Sequence, residues 1–223
     1  MNKLLIGLTA ALLVLGVPTA YADGGDGGSG FYEIRVTNIT RGQSFTPIMV
    51  AVHRAGVALF TSGQPASAEL ATLAESGDTG PLSAMLANNP DVLEVITIPG
   101  RLAPGKTAVT RIRTSGQFNH VSAAAMLIPT NDAFFAIMDV AGPRGRGLLM
   151  VESPAYDAGS EPNDELCTSI PGPICRGEGA SPFAGGEGFV HIHAGIHGIG
   201  SLPAADFDWR NPVAEISIQR VSQ

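Results

Sequence analysis

Tyr32, Ile34 and Val36 alternate with Glu33, Arg35 and Thr37 between Phe31 and Ile39. A period of two with aromatic and β-branched residues predicts a half-buried strand. Ile48 to His53 and Ala55 to Phe60 read as a further strand or strand pair, split near Arg54–Gly56. The pattern then changes. Leu70, Leu73 and Ala74 fall on one face of a helix over Ala66 to Glu75, with Ser67 as cap and Gly77 as stop. Pro81 to Ala87 reads as a second helical turn with proline at its first position. Both are expected as crossovers lying over one end of the strands. Strand patterns resume at Val92 to Ile98, Lys106 to Arg113 and the alanine-rich His120 to Ile128. They continue at Phe134 to Val140, Leu148 to Glu152, Phe189 to His193 and Ala214 to Val221. About eight or nine short strands with Gly/Pro turns predict an all-β fold, an antiparallel β-sandwich with one or two short helices in its connections. No internal repeat supports a propeller or solenoid.

The ends of the chain change the picture in one respect. Lys3, the apolar run Leu4 to Val17 and Ala20-Tyr21-Ala22 have the form of a signal peptide over residues 1–22, cleaved after Ala22. Residues 23–30 (DGGDGGSG) read as a flexible Gly-rich leader, and 31–223 as one domain. No later stretch is long enough to span a membrane. The chain carries 13 basic and 20 acidic residues. Removing Lys3 with the signal leaves 12 basic residues against 20 acidic, a net charge of −8. That argues against nucleic acid, whose phosphates need a basic face, and suits an exported protein, secreted or periplasmic. Its two cysteines, Cys167 and Cys175, are then expected to form a disulfide.

Candidate chemistry concentrates between Met126 and Glu165. Asp132 follows the apolar run that ends at Pro129, and a later loop holds Asp157, Glu161, Asp164 and Glu165. If the intervening strands pair, Asp132 and Asp157 lie at the same end of the sheet. Oxygen ligands converging from loops suit Ca²⁺, which takes about 6–8 oxygens in irregular geometry. The plainer reading is a set of solvated loop acids.

Pro-Thr-Asn-Asp-Ala-Phe-Phe (129–135) resembles the proline–aspartate–aromatic turn of the spondin N-terminal domain family. Tyr-Asp-Ala-Gly-Ser-Glu (156–161) resembles its aromatic–Asp–Ala–Gly–Thr–Asp motif, and Trp209 to Ile218 its last strand. The resemblance implies an eight-stranded, C2-like sandwich. It also implies Ca²⁺ ligation by Asp132, Asp157 and Glu161. Glu161 stands where the family usually has aspartate, one methylene shorter. Asn131, Asn163 and Asp164 are further oxygen sources nearby, without support from the resemblance.

A second constellation competes. His191, His193 and His197 lie in FVHIHAGIHG. On a strand, residues i and i+2 share a face, which suits copper or zinc ligation by His191 and His193. The segment resembles the histidine strand of copper–zinc superoxide dismutases, but no second spaced pair follows; His53 and His120 are the other histidines. A strand followed by a glycine-bounded turn is the plainer alternative. No nucleophile elbow, phosphate loop or Ser/His/Asp set is present. The sequence therefore predicts a non-catalytic, exported, calcium-binding recognition or adhesion module with an extracellular or periplasmic protein or glycan as partner. A His-based copper or zinc protein is the alternative.

Overall fold

The computed structural model describes residues 28–181 and 185–222. The expected signal peptide and residues 23–27 of the leader lie outside that range. In chain order the strands are β1 (Gly30–Asn38), β2 (Ser44–Phe45), β3 (Ile48–His53), β4 (Val92–Ile98), β5 (Thr107–Thr114) and β6 (His120–Ile128). They continue as β7 (Ala133–Ala141), β8 (Leu148–Ser153), β9 (Ala155–Asp157), β10 (His191–Ile192) and β11 (Ala214–Val221). Helices α1 (Ala68–Ser76) and α2 (Gly80–Ala87) join β3 to β4, and a short α3 (Ala204–Phe207) precedes β11.

All pairings are antiparallel, in two sheets ordered β5-β1-β11-β8 and β10-β9-β7-β6-β3-β4, with β2 also on β6. This is the expected all-β sandwich. Tyr32, Ile34 and Val36 of β1 point inward, opposite the Val50, Ala123, Ala125 and Phe135 side of the larger sheet. Phe45 and Phe135 meet at the centre with ring centroids 4.6 Å apart. Burying each such aromatic stabilises the fold by about 1.5–3 kcal/mol.

The helices sit elsewhere than expected. Leu70, Leu73, Leu82 and Leu86 pack on the outer face of the larger sheet, against Met49, Ala51, Ala124 and Phe134, and make a second core. They do not cap a strand end. That is why β3 is buried along its whole length and β6 from Val121 onward: each is covered on both faces. Ser67 caps α1 by accepting from the Leu70 amide, and Gly77 ends it in the left-handed region at φ 72°. The segment Ala55 to Phe60 is not a strand; it leaves the sheet by a turn and adds Leu59 and Phe60 to the outer core. Strand β10 is shorter than Phe189–His193, keeping only His191 and Ile192.

Candidate functional site at the sheet corner

The site forms where the larger sheet ends in β7, β9 and β10. Chain leaving β6 turns through residues 129–132. The Thr130 hydroxyl closes the turn, donating to the Leu127 carbonyl and accepting from the Ala133 amide. Ala133 then pairs with Asp157, and on the other side of β9 Asp157 pairs with His191. Register alone therefore brings Asp132, Asp157 and His191 to one corner.

Asp132 and Asp157 are both fully buried. Asp132 Oδ2 accepts from the amides of Ser160 and Glu161 at 2.8 and 3.0 Å and from the Ser160 hydroxyl at 3.2 Å. These bonds pin the 158–161 loop to the turn. Asp132 Oδ1 has no donor among the described residues. Burial, and then the Asp157 charge, push the Asp132 pKa up to about 7, against the loop donors. Asp157 Oδ1 accepts from the Gly159 amide at 2.7 Å and Oδ2 from the Asn163 side chain at 2.7 Å.

Glu161 is buried, and neither of its carboxyl oxygens has a donor among the described residues. Burial raises its pKa to about 7, with Glu75 and Asp164 adding repulsion and Ser181 and Asn131 opposing it. Its backbone is tied to Asp132, but its carboxylate faces Glu75 and Asp164. The three acids proposed as calcium ligands are thus divided: Asp132 and Asp157 adjoin, and Glu161 opens toward the neighbouring loop. Asn131 and Asp164 bond each other there, and Glu165 binds the His197 and Ile199 amides through its carboxylate.

The histidines divide as well. His191 Nε2 stands 3.7 Å from Asp157 Oδ1 and 3.8 Å from Glu187 Oε2. Ligand atoms of Asp157, Glu187 and His191 lie within 4.8 Å of one another. Burial opposes protonation of His191, but the Ile192 carbonyl and the Asp157, Glu187 and Asp132 carboxylates outweigh it and raise its pKa. His193 is buried, with Nε2 3.8 Å from Asp157 Oδ2, and burial lowers its pKa. Its ring lies 5.0 Å from Trp209. His197 is exposed and stands apart from this group. Glu187 carried no signal in the sequence beyond its spacing of four from His191.

Cys167 and Cys175 form a disulfide in the loop that follows the acids. A cleft of ≈ 530 Å³ lined by His193, His197, Trp209 and Arg210 adjoins the corner. Another, ≈ 540 Å³, lies by Tyr32, Arg54, His120 and Arg220, near the start of β6 and remote from Asp132.

Among known proteins, the Spondin_N family model matches residues 37–141. The span runs from β1 to the end of β7, so it holds Asp132 and stops before Asp157 and Glu161. Comparison with curated proteins gives no match. The match and the disulfide fit an extracellular protein. No helix among the described residues is long and apolar enough to cross a membrane.

Proposed function

Because the chain carries a spondin N-terminal domain, we propose that it works as an exported calcium-binding recognition or adhesion module, secreted or periplasmic after cleavage at Ala22. One observation carries the reading. Asp132 Oδ1 is fully buried beside the Asp157 carboxylate and has no donor. An acidic pair without a counter-ion is costly in a folded protein, and a divalent cation converts that repulsion into attraction.

The donor chemistry fits Ca²⁺. Asp132, Asp157 and Glu161 offer carboxylate oxygens, and the surrounding turns offer backbone carbonyls. Hydrogen bonds already made to Asp157 leave lone pairs free on both oxygens. Neither Glu161 carboxyl oxygen has a donor, so turning its longer side chain toward the pair gives up only the weak favourable influence of Ser181 and Asn131. When bound, the cation supplies charge neutralisation and a fixed loop conformation. Asp132 then ties the 158–161 loop to the β6–β7 turn, and the loops beyond it form the presenting surface.

That layer supports recognition rather than catalysis. Leu166, Ile174, Phe189, Ile192 and Ile199 are large apolar residues left exposed on it, with Ile199 71% accessible. Apolar groups on an ordered loop layer suit contact with an extracellular protein or the apolar face of a glycan. The test is equilibrium dialysis of metal-free protein against Ca²⁺. One ion bound per chain, lost on Asp157→Ala, supports the reading; no binding at millimolar calcium overturns it.

A further inference from the structure

We infer a second metal centre, for a zinc-type transition cation, on His191, Glu187 and Asp157, distinct in its ligands from the calcium reading and sharing only Asp157 with it.

Each of the three side chains is held by an atom that faces away from the common point. The Nδ1 of His191 lies 3.0 Å from the Ile192 carbonyl oxygen. A carbonyl can only accept, so Nδ1 carries the proton and Nε2 keeps its lone pair. The Asn163 amide donates to Asp157 Oδ2 at 2.7 Å and to Glu187 Oε1 at 3.3 Å. The atoms left for a cation are His191 Nε2, Glu187 Oε2 and Asp157 Oδ1, the last of which accepts one bond, from the Gly159 amide at 2.7 Å, and keeps a lone pair. Those are the atoms that converge, at 3.7 and 3.8 Å from Nε2. Zinc with bonds of about 2.0–2.1 Å in tetrahedral geometry sets its ligands about 3.3 Å apart, so the two distances to His191 Nε2 need to shorten by about half an ångström, and the two carboxylate oxygens start within 4.8 Å of each other. One Asn steadying two carboxylates and one carbonyl fixing the imidazole tautomer form the kind of outer shell that metal ligands require.

An independent observation falls on the same carboxylate, at its other oxygen. The side chain of His193 is 3% exposed, and its Nε2 has no hydrogen-bond partner yet lies 3.8 Å from Asp157 Oδ2. Its role differs from that of His191. The Gly195 amide donates to His193 Nδ1 at 2.9 Å, so the neutral ring carries its proton on Nε2. A protonated nitrogen cannot coordinate. His193 is therefore a buried donor beside Asp157, where it would steady that carboxylate or hold a water or anionic group next to the metal. The paired-histidine arrangement expected from strand periodicity is replaced by one histidine and two carboxylates. A mixed N/O set of this kind selects zinc, cobalt or manganese over Ca²⁺.

Titration of the purified, metal-free protein with Co²⁺ tests this, read by visible absorption and by displacement with Zn²⁺. One cobalt per chain is expected, with a four- or five-coordinate spectrum. His191→Ala and Glu187→Ala should each weaken binding at least about tenfold. His193→Ala and His197→Ala should keep the stoichiometry, with His193→Ala changing the spectrum. Glu161→Ala should abolish the calcium response and leave cobalt binding intact, which separates failure of one centre from failure of the other. Unchanged binding in His191→Ala, or loss in His197→Ala with Glu187→Ala unaffected, overturns the assignment.

Discussion

Asp132 sits one residue before the position that pairs with Asp157, and its Oδ1 lies buried beside that second carboxylate without a donor. The relationship follows from strand register, because Ala133 opposite Asp157 fixes where the preceding side chain falls. Its energetic consequences can be measured without knowing the partner.

Asp132→Asn should remove the repulsion and keep the loop bonds, since the amide oxygen can still accept from Ser160 and Glu161. In chelator its melting temperature should equal or exceed that of the wild type, by about 0–2 kcal/mol in stability. A loss of more than about 2 kcal/mol in chelator would show that the ionised carboxylate itself stabilises the apo fold.

Stability without cation should fall as pH rises from about 4 to about 7. Asp132 and Glu161 are both held near 7, above their ordinary values of 3.8 and 4.5. Raised carboxyls favour the protonated folded state, so the penalty is absent below the unfolded pKa and complete above the folded one. The slope should approach about 1.4 kcal/mol per pH unit for each group within that window. Saturating calcium should flatten it, as urea melts at pH 5, 6 and 7 would report.

Much of this was legible in the chain, for identifiable reasons. Most strands of both sheets follow from apolar patterning, and His120–Ile128 and Ala214–Val221 have the expected bounds, but the short β2 and β9 carry too little pattern to be read as strands. Asp132 and Asp157 meet because the strands behind them pair. Ala55–Phe60 misleads because its apolar residues serve the outer core from irregular backbone. The partner of His191 was hidden for another reason. A two-residue strand carries too little pattern to fix register, and Glu187 reaches the corner from a loop. Whether His191 or His193 offers a lone pair depends on backbone groups at Ile192 and Gly195, which spacing does not reveal.

Gly159→Ala should loosen the corner. Gly159 has φ +67°, and a Cβ there would meet the backbone of Phe189. The substitution should cost about 1–3 kcal/mol and push the 187–190 segment away from Asp157. Weaker cobalt binding together with a lower melting temperature is the expected result, read by absorption and calorimetry.

Replacing Cys167 and Cys175 by serine opens a loop of eight residues' separation. The expected loss is about 2–3 kcal/mol. Because the disulfide stands beyond the acid cluster, calcium stoichiometry should persist in the variant at temperatures where it remains folded.

The most direct measurement is a pair of melting curves, with calcium and with chelator, on the wild type and on Asp132→Asn. Calcium at about a hundred times its Kd should stabilise the wild type by about 2.7 kcal/mol, a rise of about 5–10 °C, and leave Asp132→Asn unmoved. Equal shifts in both proteins, or none in the wild type, would contradict a cation held between Asp132 and Asp157.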